Sequence, residues 1–406
     1  MFSRTFLTVA MAMFTATMGI GMVTPILPVY AESQGASGAE IGLAFSSFAI
    51  TQLFISPFSG RIADRYGRKQ FLVMGLATYI VTAFGWWGTD AVFWTIAFRA
   101  FSGIGSAFIF SLSSAYIGEL APEGHEGRYM GVFGVFDFVG FGVGPLLAGV
   151  IRDQFDIDAV FLSMAVLFSA STLLAFLFLP QSRAVRAGSD GAPQFVPWGR
   201  ILSHPYVQAL YIIRTSLAFA MGASFTFVAL FFENELAATA TMVGGVLAAQ
   251  QVTSGLMQPI SGFFADRLSR RALVLIGSAL VAAGYLTPAL FDSYWVILLG
   301  FMFGVGVGSS ISNVAAQAVT VDIGRGLGMA TVMSVTSTAF GSGVLLGSMI
   351  TGVVNDQIGT RAVFVTASIV VLLGAAAFIL RTAGRPIDRF EEPADTPRRD
   401  AEAASG

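Results

Sequence analysis

Long apolar runs, separated by a few polar residues, recur along the whole chain. Twelve runs approach or exceed the length of about 20 residues that a helix needs to cross the hydrocarbon core of a bilayer. They lie at 6–30, 41–62, 71–87, 91–117, 129–151, 160–179, 206–232, 242–264, 272–291, 294–319, 327–354 and 362–380. The strands of a membrane β-barrel would be about half as long and would alternate in polarity. Because lipid offers the backbone no hydrogen-bond partner, the pattern predicts twelve transmembrane α-helices.

A charged sequence occurs twice, each time at the end of an apolar run. PFSGRIADRYGRK at 57–69 returns as PISGFFADRLSRR at 259–271. A chain that repeats the same turn in its two parts is predicted to fold as two similar halves, as many secondary transporters do. The expected fold class is therefore an all-α integral membrane protein with two pseudo-symmetric six-helix bundles.

The polar segments predict how the chain is divided. The longest internal polar stretch falls between the sixth and seventh runs, and the chain becomes polar again after Arg381. We expect a first bundle at 1–180, a cytoplasmic linker at 181–204, a second bundle at 205–381 and a disordered cytoplasmic tail at 382–406.

Composition excludes a soluble protein. Hydrophobic residues make up 55% of the chain and charged residues 11%, against about a quarter in soluble domains, and the mean hydropathy is +0.75. The net charge of -2 gives no indication of nucleic-acid binding, and the absence of cysteine excludes disulfides and thiol catalysis. No phosphate loop, nucleophile elbow or zinc-ligand spacing is found. We therefore expect no enzymatic activity and no cofactor, and an ion gradient as the energy source, with Na⁺ coupling left open.

The basic residues predict the orientation. If the amino terminus is cytoplasmic, the basic loop residues fall on the inner side, and only Arg152 and Arg361 fall outside. Lys and Arg in short loops favour the cytoplasmic side. A multi-pass plasma-membrane protein with both termini inside is expected, and we expect it to be a monomer.

The charged turn at 60–69 and two glycine-containing motifs, at 99–105 and 140–149, resemble motifs of the major facilitator superfamily, and the resemblance extends from the first to the twelfth run. The loop signature GxxxDRxGRK is matched by Gly60, Asp64, Arg65, Gly67, Arg68 and Lys69, although the second copy has Ser269 in place of Gly67. RxxxGxG is matched by Arg99, Gly103 and Gly105. GxxxGPxxGG is matched by Gly140, Gly144, Pro145 and Gly149, with Ala148 replacing one glycine. The last motif and the segment at 19–30 are similar to those of the drug–proton antiporter branch.

The resemblance implies that the charged loop is a conformational latch. Asp64 would meet the start of helix eleven, Asp266 would meet the start of helix five, and Arg65 and Arg68 would pair with Glu119. Arg267 repeats Arg65 in the second copy. The alternative is that these charges only fix the topology. In helix five, the glycines and Pro145 either allow close packing or form a hinge.

Asp137 is the leading functional candidate. Of the 24 acidic residues it is the one that we place well inside a span, where an ionisable group is costly and usually faces a partner or a watery cavity. It would carry the coupled proton, or it is a structural carboxylate. Arg99 is the candidate cation for it, directly or through water, or it binds an anionic substrate or stabilises helix four. Arg214 is expected to extend to the lipid headgroups.

The family arrangement implies a central substrate cavity. Gln52, Phe138, Phe141, Gln250, Gln251, Asn313 and Gln317 are the candidate lining residues. The predicted function is the proton-coupled export of small lipophilic compounds, with a small molecule, the proton and the bilayer as partners. The alternatives are a proton-coupled importer of an organic anion or sugar, and a receptor or channel that transports nothing uphill.

Overall fold

A computed structural model describes residues 4–120, 126–179, 203–327 and 329–383. Within these ranges the chain forms twelve helices and no strand. The first nine are α1 Arg4–Ser33, α2 Gly38–Tyr66, α3 Arg68–Trp87, α4 Val92–Leu120, α5 Glu126–Gln154, α6 Ile157–Phe178, α7 Pro205–Leu236, α8 Ala240–Arg267 and α9 Arg270–Leu290. α10 is continuous from an α-helical segment, Tyr294–Leu299, through a π-helical segment, Gly300–Val307, to an α-helical segment, Gly308–Leu327. α11 Met329–Ile358 and α12 Thr360–Thr382 complete the set. Each helix overlaps the run predicted for it, so the predicted helices are confirmed.

Each half has its own apolar core, and together they form two pseudo-symmetric six-helix bundles, as predicted. The largest fully buried side chains of the first half include Tyr79, Trp86, Phe161 and Phe168, and those of the second half include Tyr285, Phe301, Phe364 and Phe378. Tyr79 stacks on Phe168 with 4.6 Å between the ring centroids. Tyr285 meets Phe301 edge to face at 5.7 Å. Offset and edge-to-face ring pairs of this kind fix the packing of neighbouring helices.

The halves meet along two helix pairs, α5 with α8 and α2 with α11. Glycines allow the backbones to approach closely there. A β-carbon at Gly149 of α5 would overlap the carbonyl oxygen of Ala240, and one at Gly42 of α2 would overlap that of Ser348. These two pairs occupy equivalent places in the two halves.

Two carboxylates join the halves at one membrane face. We term the face at which α1 ends the distal face, and the face at which α1 begins the proximal face. Asp153, at the end of α5, accepts hydrogen bonds from the backbone N–H groups of Ala240 and Thr241 at 3.0 and 2.8 Å. Asp356, at the end of α11, accepts them from Gly38 and Ala39 at 2.6 and 2.8 Å. Each carboxylate therefore caps the first turn of a helix in the other half, where backbone donors and the helix dipole favour a negative charge.

Two further polar contacts between the halves lie at the distal face. Arg152 forms a bidentate ion pair with Glu233, with 2.9 Å between Nη2 and Oε2. The side-chain amide of Asn234 donates to Glu32 at 2.9 Å. Among the described residues, these contacts and the two carboxylate caps close the distal face.

Eleven of the described helices are apolar enough to span a bilayer by length and composition, and α8 is the exception. α8 carries Gln250, Gln251 and Gln258, and all three line the central cavity. These cavity-facing glutamines therefore lower its hydropathy.

Most of the predicted linker and tail lies outside the described residues, which resume at Ser203 and end at Ala383. Their predicted boundaries and cytoplasmic location stay predictions.

Candidate functional site

The described residues between the halves line several chambers, and Phe340 of α11 lines three adjoining ones. The polar chamber has a volume of about 300 Å³, and the aromatic chamber about 280 Å³. The third chamber, the vestibule, has about 820 Å³. The vestibule includes Ser56 near the end of α2 and Met333 near the start of α11, so it extends toward the proximal face.

Polar stripes on two helices form one wall of the polar chamber. Gln250, Ser254 and Gln258 follow one another at intervals of four on α8, and Ser309, Asn313 and Gln317 do the same on α10. Residues four apart lie on the same face of a helix. The predicted candidates Phe138, Phe141, Gln250, Gln251, Asn313 and Gln317 all line this chamber. Ser254, Gln258, Ser309 and Ser310 were not predicted, although the intervals of four in otherwise apolar helices were a usable signal.

Asp137 of α5 faces the polar chamber. Its Oδ1 atom is buried and has no hydrogen-bond partner among the described residues. The side chain of Gln250, only 5% exposed, also lines the chamber, and its Oε1 atom likewise lacks a partner. The chamber thus contains a carboxylate and an amide with free capacity for a proton, water or ligand.

Arg214 lines the same chamber, so the expectation that it extends to the headgroups was wrong. Its Nη1 atom donates to Asn313 at 3.1 Å, and its buried Nε atom has no partner in the described part of the chain. The sequence around Arg214 alone does not determine which way the side chain points. Packing of α7 against α10 decides its direction, because Asn313 provides a polar partner on the cavity side.

Arg99 lies in the aromatic chamber, apart from Asp137. No hydrogen bond or ion pair joins the two side chains in the described part of the chain, and Phe141 lines both chambers. The guanidinium carbon of Arg99 is 4.2 Å from the ring centroid of Phe48 and 5.0 Å from that of Phe45. Gln52, the remaining predicted cavity residue, lines the aromatic chamber and donates to Ser106 at 3.0 Å.

The glycines of the helix-five motif pack against two different helices. A β-carbon at Gly140 would overlap the hydroxyl of Thr17, and one at Gly144 would overlap the carbonyl oxygen of Met18, both on α1. Gly149 faces α8 instead. Pro145 lies within the helix, and its carbonyl group contacts Gly244 of α8. These contacts account for the glycines by packing, and a hinge role stays a prediction.

The charged loop turns on a glycine with a positive φ. Gly67 ends α2 and begins α3 with φ 101°, a conformation that side-chain-bearing residues rarely adopt. Arg65 lies over the ring of Tyr66 at 5.3 Å, and Lys69 lies 5.6 Å from the ring of Phe176. Ser269, the counterpart of Gly67, has φ −59° and needs no glycine.

Part of the predicted latch lies outside the described side chains. These residues are Gly60, Asp64, Glu119 and Asp266, so the contacts proposed for them stay predictions. Arg68, which opens α3, is buried. In the second copy, Arg267 lies over the ring of Phe263 at 3.8 Å, and Arg270 forms an ion pair with Asp322 of α10. Arg270 is the counterpart of Arg68 in the repeat.

Comparisons with known proteins agree with this architecture. A protein described as "Uncharacterized MFS-type transporter MJ1560", from Methanocaldococcus jannaschii, is 26% identical over 351 residues, which are 85% of this chain and 90% of that protein. Multidrug resistance protein 2 of Bacillus subtilis is 24% identical over 379 residues, covering 89% and 91%. A crystal structure of a mutant nucleoside transporter, NupG, superimposes with a TM-score of 0.78 at 14% identity, covers 93% of this chain and 100% of that one, and shows the fold alone. The family model described as Major Facilitator Superfamily matches residues 9–235 and 210–404. Since these matches span most of the sequence, this chain belongs to the Major Facilitator Superfamily.

Proposed function

We propose that this protein is a secondary active transporter that exports small lipophilic compounds in exchange for protons. Membership of the superfamily supports transport, and the similarity to Multidrug resistance protein 2 over most of both chains supports export. The observation that carries the proposal is Asp137, a carboxylate in the cavity between the halves whose Oδ1 atom has no partner among the described residues. An ionisable group at this depth is costly, so its presence indicates an ion pathway.

Alternating access gives Asp137 its role. The polar chamber shares Arg214 and Gln317 with the vestibule, so the carboxylate communicates with the proximal side while the distal face is closed. In this state Asp137 releases its proton and the cavity accepts a compound. When the halves rock and the distal face opens, the compound leaves and Asp137 binds a proton from that side.

We place the proximal face in the cytoplasm of a plasma membrane, with a monomeric chain and no cofactor. The basic residues of both charged loops support this orientation. The two basic residues at the distal face are both paired with acids, Arg152 with Glu233 and Arg361 with Glu235 and Asp292. A reporter fused after Gly406 is expected to be protected from external labelling in intact cells, and external labelling would overturn the orientation.

The transport proposal is tested with purified protein in proteoliposomes that carry a pH gradient and an internal pH-sensitive dye. Neutral, cationic and anionic aromatic compounds are added one at a time. We expect compound and protons to move in opposite directions, and a protonophore to abolish uphill accumulation. Movement in the same direction would favour the importer, and no uphill movement of any compound would favour a receptor or channel.

A further inference from the structure

The aromatic chamber contains a buried positive charge and no described acid. Its walls include the rings of Phe45, Phe48, Phe110, Phe141, Phe225 and Phe340. Among the lining residues Arg99 alone is charged, and it is only 4% exposed. The volume of about 280 Å³ is just below the range for small-molecule pockets, which begins at about 300 Å³.

The guanidinium group of Arg99 has unused hydrogen-bonding capacity. Its Nε and Nη1 atoms are buried, and among the described residues they have no hydrogen-bond partner and the group forms no ion pair. Gln52, a polar residue of the same wall, donates to Ser106 instead. The rings of Phe45 and Phe48 offset part of the cost of burying the cation, but they accept none of its directed N–H bonds.

We infer that Arg99 binds the anionic group of an aromatic carboxylate, and that the transported compounds include lipophilic aromatic anions. The inference rests on the proposed transport function. A guanidinium group matches a carboxylate with two parallel N–H···O bonds, and the phenylalanine walls accept the ring. A lipophilic cation would meet a like charge in this chamber and would not be bound there.

Equilibrium binding of a matched pair of probes tests the inference without relying on transport. The probes are 2-naphthoate and 2-naphthamide, which share a ring system and differ in charge, and the full-length protein is held in lipid nanodiscs. Because hydrogen bonds to charged partners are the stronger ones, we expect naphthoate to bind about tenfold more tightly than the amide. Arg99→Gln should raise the Kd for naphthoate to that for the amide and change the Kd for the amide little.

Two further variants separate the charge of Arg99 from general effects. Arg99→Lys keeps the charge and should keep most of the preference for naphthoate. Arg381→Gln removes one positive charge at the end of α12, far from the chamber, and should leave both affinities unchanged.

The outcomes are distinguishable from those of the transport proposal. Equal affinities in the wild-type protein, no binding of either probe, or a preference that survives Arg99→Gln would each overturn the inference. The wild-type comparison stands even if Arg99→Gln fails to fold. If the protein exports compounds in exchange for protons but shows no preference for naphthoate, only this inference is overturned. If it prefers naphthoate but exchanges no protons, the export proposal is overturned.

Discussion

At the scale of single residues, the charged groups Asp137 and Arg99 lie in chambers of different polarity. Asp137 shares its chamber with amides, hydroxyls and Arg214, whereas Arg99 is surrounded by phenylalanine rings. Water can accompany a proton through the first environment, because many groups there donate or accept hydrogen bonds. The second environment suits a ring with one charged group. The separation lets one cavity bind a proton and a lipophilic compound at different places.

At this scale, replacing Asp137 is the direct test of coupling. Asp137→Asn keeps the shape but cannot exchange a proton, so we expect it to abolish accumulation driven by a pH gradient and to leave compound binding within about threefold. Asp137→Glu keeps an ionisable group and should retain part of the coupled transport. Uphill accumulation and compound-dependent proton flux in proteoliposomes are the measurements. If Asp137→Asn still concentrates compounds and still moves protons, the carrier is another residue.

The sequence identified the charged residues inside the spans, but it did not predict which chamber or partner each of them faces. Asp137 and Arg99 are visible as charges inside apolar runs, and both line the cavity. Their separation into two chambers was not predictable, because it depends on the rotation of α4 and α5 about their axes. The direction of Arg214 depends on Asn313, a partner that is 99 positions away.

At the scale of elements, the two copies of the charged turn differ in one backbone angle. Gly67 has φ 101°, and the N–H of Gly67 donates to Ala63 at 2.8 Å to end α2. Ser269 makes the equivalent connection with φ −59°. The second copy therefore has no need of glycine at this position, because its backbone angle suits other residues. The sequence motif shows the substitution but not this geometric reason.

This difference gives a matched pair of variants. Gly67→Ala places a β-carbon on a backbone conformation that costs about 1–3 kcal/mol for residues other than glycine. Ser269→Ala removes a side chain that makes no capping hydrogen bond, so it should have little effect. We expect a lower apparent melting temperature in detergent for Gly67→Ala than for Ser269→Ala. Equal melting temperatures would show that the turn relaxes without strain.

All twelve described helices were predictable, because an apolar run long enough to cross a bilayer has to form a helix there. α8 shows the limit of that signal. Its glutamines lower its hydropathy below that of a typical span, and the same glutamines line the cavity. A weak span in such a chain therefore indicates a helix that contributes several polar groups to the site.

At the scale of the whole molecule, the distal face is closed by two carboxylates with equivalent roles. Asp153 caps α8 from the first half, and Asp356 caps α2 from the second half. The repeat could not predict this pair, because aligning Phe141 with Phe340 places Gly352, not Asp356, opposite Asp153. Asp356 lies about one helical turn beyond the position that aligns with Asp153, yet both residues cap a helix of the other half.

Removing both caps should shift the molecule toward the distal-open state. Asp153→Ala and Asp356→Ala each remove the acceptor for two backbone N–H groups, and an exposed cap of this kind contributes about 1 kcal/mol. Together they should change the ratio of distal-open to distal-closed molecules about 10- to 30-fold. Folding should be preserved, because neither carboxylate belongs to the core of its bundle.

The chain contains no cysteine, so two introduced cysteines report this equilibrium without further changes. Spin labels at Asp90→Cys and Ser293→Cys lie in distal turns of the two halves, and their distance distribution should lengthen in the double alanine variant. Glu235→Ala is the matched control, because its ion pair with Arg361 lies within one half and its loss should leave the distribution unchanged. An unchanged distribution in the double variant, or an equal shift in the control, would show that the carboxylate caps do not hold the distal face closed.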